Sequence, residues 1–444
     1  MRSNVIMCND LKQSHIAISF EITINTKRGW LAMLTYATFV TGLQKPIAQW
    51  AEEEGHRIRQ TLDGAVIYDT KNSNRALPCF FNTFTVLDTE KRSGPKAVDQ
   101  LMQKVLQRQF SNIPDVKKGR GSFRIVTSRE NQLIAVDNRL RNDVEKLISS
   151  KTGLVPDRRG GGREFWFLAR SEGITLFMER QPSPKEPSLK KGELRPQLAY
   201  CLNRLADPAP EDIMIDPFCG YGAITKARAA YFPCQAIHGL DIDGQKIKTL
   251  QQMKAFTKKR PTPPRVQPVT KCNRLNYQRG DIRQLSSIFP AKSVDVIVTD
   301  PPWGLYGDNE KDDISSLYKT MAEECSKVIK PGGRIVILTA QKELLRAHIN
   351  NGFWRNIGNR QTENLQMENT QVGNTQMSNS QTRNSQTENT QARNTQTRNS
   401  QAGTCYEIDT CYNSSDTYYI IDACYDILVS GQKAAIFVIK ASAN

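Results

Sequence analysis

Four turns in this sequence carry side chains suited to holding a small polar molecule against the main chain. The apolar run Ile213-Met214-Ile215 leads into Asp216-Pro217-Phe218-Cys219-Gly220-Tyr221-Gly222. Glycines directly after a first strand let a cofactor approach the backbone closely, at the crevice beyond the strand ends. The spacing is not GxGxxG, and no GxxxxGK(S/T) loop is present, so a nucleotide phosphate is not the expected guest. About 25 residues further on, a second apolar run ends in Gly239-Leu240-Asp241-Ile242-Asp243. An acidic side chain there can accept from both hydroxyls of a ribose, and alternation along the strand end favours Asp241 over Asp243. Arg279-Gly280-Asp281-Ile282 offers a third carboxylate, able to accept from an adenine amino group. A fourth run, Val294–Thr299, ends in Asp300-Pro301-Pro302-Trp303-Gly304. Each turn alone is common. Four in this order, at the ends of consecutive predicted strands, read together as a cofactor and substrate site.

The elements that must position these turns follow from the apolar pattern. Short apolar runs at Ile213–Asp216, Ala236–Leu240, Val294–Thr299 and Arg334–Thr339 alternate with helical stretches. That rhythm predicts a parallel sheet covered on both faces. Asp426–Ser430 and Ala434–Ile439 flank Gly431-Gln432, a hairpin signal, so the sheet is expected to end on an antiparallel pair. Upstream the pattern is that of a small α+β domain. Strands are predicted at Tyr36–Val40, Gly64–Tyr68, Phe123–Val126 and Gln132–Val136. Helices are predicted at Lys45–Gly55, Val98–Phe110 and Arg139–Ser149, and a hairpin at Glu164–Ala169 with Ile174–Met178. The Pro-rich passage Gln181–Pro187 has linker composition.

The chain has 444 residues, enough for two or three domains. Its hydrophobic share of 38% and mean hydropathy of −0.53 are low for one compact enzyme, so part of it is not core. The formal charge is +16, and between Lys91 and Arg195 the sequence holds 23 Lys/Arg against 12 Asp/Glu, a local excess of 11. Any one run, such as Lys117-Lys118-Gly119-Arg120 or Arg158-Arg159, could be a solvated face. Concentrated in one region, they favour a polyanionic partner, nucleic acid before membrane surface. The tract 359–403 repeats a five-residue Asn/Gln/Thr/Ser unit with almost no large apolar side chains, the composition of a disordered insertion. The ten cysteines form no CxxC pair and there are four histidines, so no metal site is expected and the thiols read as reduced. The longest apolar stretch, Leu31–Leu43, spans 13 residues, whereas a membrane span needs about 20. Lys27 and Arg28 before it mimic a signal peptide, but Glu21 and the lack of a small-residue cleavage site oppose one. The expectation is a soluble cytoplasmic protein with no membrane partner. The sequence names no protein partner.

Here the residues carry a resemblance. Asp216–Ile224 resembles the DPFCGSGT-type first motif of class I S-adenosylmethionine-dependent methyltransferases. Asp300–Gly304 resembles the (D/N)PP(Y/F/W) motif of enzymes that methylate exocyclic amino groups of bases. With a basic domain in front, the combination is similar to the THUMP-linked RNA guanine-N2 methyltransferases, which modify a guanine in the acceptor–D-stem region of tRNA. The likeness is specific over Leu194–Ala340, resumes in Asp426–Ala441, and is diffuse over Thr41–Ala48 and Gly64–Tyr68. It departs at Tyr221 and Ala223, where the family often shows Ser and Thr, and at the Asn-rich insertion. Residues before Met33 match nothing, and Met33 offers an alternative start.

The resemblance implies a Rossmann-like α/β fold with a seven-stranded sheet, preceded by a smaller basic THUMP-like α+β domain. The implied division is 33–180 THUMP-like, 181–193 linker, 194–358 methyltransferase, 359–404 insertion and 405–444 the closing hairpin. S-adenosyl-L-methionine is the implied cofactor and RNA, foremost tRNA, the implied partner. Cofactor contacts fall on Asp216, Pro217, Cys219, Gly220, Gly222, Asp241, Asp281 and Ile282. Asp300, Pro301, Pro302 and Trp303 fall on the reacting amine. Arg195, in a segment resembling one that closes over the methionine end, either pairs with its carboxylate or is a surface arginine.

Methyl transfer from a sulfonium is an in-line displacement that needs positioning more than a strong base. Asp300, accepting from the amine, would steer its lone pair and take a proton as charge develops. The Pro301 carbonyl is a second acceptor. Trp303 is either a stacking face for an extruded base or a core aromatic at the strand end. A nucleophilic reading of Cys219 fails because it sits in the cofactor turn, away from the base-facing Asp-Pro-Pro. Three alternatives stay open: guanine N2 in rRNA, adenine N6 in DNA or RNA, and a noncatalytic RNA-binding protein. Asp before Pro-Pro leans to guanine, whose N1–H is a donor that a carboxylate can accept.

Overall fold

The structure, a computed structural model, describes residues 33–70, 76–108, 121–160, 162–182, 188–257, 274–304, 311–350, 409–411 and 417–443. The repeat tract, the residues before Met33, the Lys117–Arg120 run and residues 183–187 of the linker lie outside them.

The first unit runs β1 (Met33–Thr38), α1 (Gln44–Glu53), β2 (Arg57–Leu62), β3 (Ala65–Thr70), β4 (Asn82–Glu90), α2 (Ala97–Arg108), β5 (Ser122–Arg129), β6 (Gln132–Leu133), α3 (Asn138–Thr152), β7 (Val155–Pro156), β8 (Arg163–Arg170) and β9 (Ile174–Arg180). Its strands form one sheet in the order β2-β3-β1-β4-β9-β8-β5-β6, with β7 beside β5. Helices α2 and α3 bury Leu101, Val105, Val144 and Ile148 against Phe123, Phe165, Phe167 and Phe177 on one sheet face. The predicted helices and the β8–β9 hairpin are present. Three strands escaped the pattern, among them the two-residue β7. In β2 only Leu62 is buried, because this edge strand alternates polar residues on both faces. In β4 the polar Asn82, Thr83 and Thr85 interrupt the apolar signal. The strand expected over Gln132–Val136 is two residues long, after which Ile134 N–H bonds back to Thr127.

The second unit runs α4 (Pro196–Leu205), β10 (Ile213–Asp216), α5 (Ala223–Tyr231), β11 (Ala236–Asp241), α6 (Gly244–Thr257), β12 (Arg274–Arg279), a 3-10 turn at Ile282–Gln284, α7 (Leu285–Ile288), β13 (Val294–Thr299), α8 (Lys311–Val328), β14 (Ile329–Thr339), α9 (Lys342–Asn350), β15 (Asp409–Cys411), β16 (Thr417–Val429) and β17 (Gln432–Ala443). The sheet order is β12-β11-β10-β13-β14-β17-β16-β15. The first five strands are parallel, and β17, β16 and β15 join antiparallel. The expected seven strands are therefore eight, because the short β15 adds an edge.

Alternation along each central strand feeds two cores. Met214, Val296, Val298, Val336 and Leu338 face the core that α4 and α5 cover. Ile215, Ile297, Ile335 and Ile337 face the opposite core under α8 and α9. Burying each such side chain contributes roughly 1.5–3 kcal/mol, so a one-residue slip of register would exchange both cores at once.

The two units share the α4-side core. Leu43, Ile47 and Trp50 from the α1 region cluster with Leu198 and Leu202 of α4. Arg204 pairs with Glu53 at 2.7 Å and lies 5.1 Å from the Trp50 ring centroid. Gly42, at φ +100°, packs so tightly that a Cβ would fall 1.9 Å from the Asp426 carbonyl oxygen. No described helix is long and apolar enough to cross a membrane.

Candidate functional site

Strand β10 is the switch point of the sheet. Connections run outward from it to β11 and β12 on one side and to β13 and β14 on the other, which opens a crevice at the carboxyl ends. All four turns lie along that edge. Asp216 closes β10 and is buried. Its Oδ1 accepts from the Thr299 hydroxyl at 2.9 Å and from the Phe218 N–H at 3.2 Å, bridging β10 to β13. Its Oδ2 is buried without a hydrogen-bond partner. Burial, opposed by the Thr299 and Phe218 bonds and reinforced by the Asp300 and Asp241 charges, pushes its carboxyl up to about 8.

Gly220 and Gly222 have φ of +54° and +79°, a left-handed turn that L side chains resist. Gly222 then caps α5. A Cβ on it would lie 2.9 Å from Leu250 and 3.2 Å from Thr225 and Tyr277, so the turn packs against buried side chains with no room for one of its own. Pro217 and Cys219 are buried beneath the turn, and burial pushes the Cys219 thiol well up, the state of a packing residue rather than a nucleophile.

Asp241 braces the same turn, its Oδ2 accepting from the Gly220 N–H at 2.9 Å and its Oδ1 from the Asp243 N–H at 2.8 Å. Asp243 caps α6 by accepting from the Gln245 N–H at 2.9 Å, so the two carboxylates sit in different environments. Asp281 differs from its expected state. Both its oxygens are held by the Arg283 guanidinium, and Oδ1 also takes the Arg283 N–H at 3.0 Å. These bonds hold its carboxyl below the usual carboxylate range. Ile282 is buried beside it. Tyr221 lies under two ammonium groups, Lys190 at 4.3 Å and Lys246 at 5.8 Å from its ring centroid. Arg195 lies 5.6 Å from the Phe81 ring centroid of the first unit.

On the neighbouring strand end, Asp300 is half-buried, and its Oδ1 accepts from the Trp303 indole N–H at 3.1 Å. Burial pushes its carboxyl up to about 7, with the Trp303 bond pulling the other way. Among the described residues, Asp300 Oδ2 and the Pro301 carbonyl accept no hydrogen bond. Trp303 is half-buried against the α4-side core, so its ring is in part a core aromatic, while its N–H orients Asp300. Pro302 is exposed, and its carbonyl accepts from the Tyr318 hydroxyl at 3.1 Å. The Trp303 carbonyl accepts from Gln341 Nε2. Sequence reasoning missed Thr299, Tyr318, Thr339 and Gln341. Two carried a signal, for Thr299 and Thr339 are polar residues ending otherwise apolar strands.

Residues 185–260 and 264–372 match the family described as UPF0020, RMKL-like, methyltransferase domain. The chain is 27% identical over 241 residues to a tRNA (guanine(6)-N2)-methyltransferase of Thermus thermophilus, covering 53% of this chain and 67% of that protein. It is 30% identical over 168 residues to the tRNA (guanine(6)-N(2))-methyltransferase THUMP3 of Mus musculus, covering 37% of this chain but only 32% of that protein. The fold matches the crystal structure of TrmN from Thermus thermophilus with a TM-score of 0.61 at 17% identity, over 92% of this chain and 99% of that one. The four turns thus lie within the residues that match RMKL-like methyltransferase domains, and the chain is an S-adenosylmethionine-dependent methyltransferase.

Proposed function

We propose that this methyltransferase acts on the exocyclic N2 of a guanosine in tRNA, with residues 33–180 as a THUMP-like unit that grips the RNA backbone. The observation that carries the reading is the pair of acceptors on one loop. Asp300 Oδ2 and the Pro301 carbonyl have no described partner, and an exocyclic amine has two N–H groups to give. The tRNA substrate is supported by the named activity of the Thermus relative. A cytoplasmic address belongs to the same proposal.

The residues present fit the cofactor. The unpartnered Asp216 Oδ2 is a feature a bound polar ligand explains, and the left-handed Gly220 and Gly222 leave the turn above it free of side chains. The glycine turn would hold the methionine part, and Asp241 would accept from the ribose with the lone pairs its two backbone bonds leave. Asp281 would accept from the adenine amine once Arg283 yields one oxygen. When bound, S-adenosylmethionine supplies an electrophilic methyl on a sulfonium. Asp300 and Pro301 orient the amine so that its lone pair faces that methyl, and ionised Asp300 takes the proton released as the C–N bond forms. The guanine N1–H is a further donor for the same carboxylate.

Mass spectrometry of nucleosides from tRNA and rRNA, with and without the protein, tests the substrate, and loss of N2-methylguanosine from tRNA is the expected result. Asp300→Ala is expected to bind cofactor and RNA normally while transfer falls about 10²–10⁴-fold. Unchanged transfer in that variant removes Asp300 from the mechanism.

A further inference from the structure

We infer that Tyr318, Thr339 and Gln341 are positioning residues for the transfer, pinning the Asp300–Trp303 loop so that its free acceptors stay aimed at the amine. The inference rests on the reading of Asp300 given above. The loop needs an external anchor, because Pro301 and Pro302 have no N–H to give and cannot be tied by donating. Its carbonyls are what remain to hold it.

Two of them are held from different elements. Tyr318, fully buried on α8, donates to the Pro302 carbonyl at 3.1 Å. Gln341, following β14, donates through Nε2 to the Trp303 carbonyl, and that carbonyl partner fixes the amide's orientation. Both donors meet at Thr339, the fully buried last residue of β14. Its Oγ1 lies 2.7 Å from the Tyr318 hydroxyl and accepts from the Gln341 backbone N–H at 2.8 Å.

The hydrogens can run in one direction only. A tyrosine hydroxyl has a single hydrogen, and Pro302 takes it, so Thr339 must donate to Tyr318. The chain is then Gln341 N–H to Thr339, Thr339 O–H to Tyr318, and Tyr318 O–H to Pro302. Burial pushes the Tyr318 phenol far above its usual range, so it stays a donor. Gly304 completes the fixture at φ +62°, with room for no side chain because a Cβ would meet Ile314 at 2.6 Å. With the carbonyls of Pro302 and Trp303 occupied, Asp300 Oδ2 and the Pro301 carbonyl are the acceptors left to the substrate.

The test is single-turnover methyl transfer by the full chain, using S-adenosylmethionine and bulk tRNA lacking the modification. Tyr318→Phe is expected to slow transfer about ten- to a hundredfold, the effect of a misplacement of about 1 Å, with cofactor and tRNA affinities unchanged. Thr339→Val should match it, and Thr339→Ser, which restores the hydroxyl, should recover most of the rate. The Tyr318→Phe/Thr339→Val double variant should be no slower than either single change, since both break one chain. Wild-type rates in Tyr318→Phe beside an inactive Asp300→Ala overturn this inference and leave the proposed function standing. Wild-type rates in Asp300→Ala overturn the function itself. Should Tyr318→Phe fail to fold, the Thr339 pair decides, because equal rates for Ser and Val leave the hydroxyl chain without a role.

Discussion

Asp216 and Asp300 are carboxyls that burial raises to about 8 and about 7, against an ordinary value near 4. In the folded chain they keep protons that the unfolded chain releases above that ordinary value. Their contribution to stability is therefore fullest below pH of about 4 and is lost as pH rises to about 8, at up to about 1.4 kcal/mol per pH unit per group. Asp216→Asn keeps the shape and removes the titration. Chemical denaturation without cofactor should find this variant gaining on wild type as pH rises from 5 to 8, and parallel pH profiles would show that Asp216 does not titrate there. Asp300 must be ionised to accept from guanine, so single-turnover transfer should rise with pH through about 7. The adenine alternative, which would use a protonated Asp300 as donor to ring N1, should fall instead. Trp303→Phe deletes the hydrogen bond that holds the Asp300 carboxyl down, and should move the inflection to higher pH. An unmoved inflection would separate Trp303 from Asp300. Both carboxylates were legible in the sequence because each ends an apolar run. Thr299, bonded to Asp216 from 83 residues away, and Tyr318, bonded to Thr339 over 21, were not. Their roles exist only once β10, β13, β14 and α8 are set side by side.

At the scale of elements, three of the strands that bear the site, β10, β11 and β13, were readable because they are mostly buried and apolar, whereas β12, which leads to Asp281, is half-exposed and polar and spells no such run. Edge strand β2 and Thr-containing β4 were hidden for the converse reason, because half their side chains meet water or polar neighbours. The glycine turn was readable as one a cofactor could approach, but not as one packed against Leu250, Thr225 and Tyr277. Gly222 and Gly332 allow that to be measured, for both sit at φ +79°. At Gly332 a Cβ would meet nothing within 4 Å, whereas at Gly222 it would lie 2.9 Å from Leu250 and 3.2 Å from Thr225 and Tyr277. Gly332→Ala should cost only the backbone strain, about 1–2 kcal/mol in denaturation. Gly222→Ala should cost more and should also weaken cofactor binding in calorimetry. Equal losses, with cofactor affinity intact in both, would mean the turn has room to spare and is not a cradle.

Across the whole molecule, the charge excess of the first unit is not evenly available. Its acidic residues are mostly engaged, with Glu164 holding Arg124 and Arg180, Glu145 holding Arg158, Glu179 holding Arg163, and Glu172 holding Arg170. The carboxylates of these pairs are largely buried, and each cancels a positive charge locally. The surplus is left on exposed cations such as Lys96, Arg129, Arg139 and Lys151, which have no ion pair among the described residues. If these cations grip phosphates, tRNA affinity should fall steeply with salt, by about 10³–10⁵ between 50 and 200 mM for six to ten contacts. Replacing one with alanine should lower the slope of log K against log salt by about 0.9. The shared core between α1 and α4 adds a constraint on where that loss appears. Those cations belong to a unit that carries none of the four turns and is packed onto the methyltransferase sheet, so under the proposed function they would hold the RNA without touching the amine. Their removal should raise the tRNA concentration needed for half-maximal transfer and leave the single-turnover rate at saturation unchanged. A salt-independent affinity would point to a protein partner on this face, and a fall in the saturated rate would mean that these cations act on the geometry at Asp300 as well.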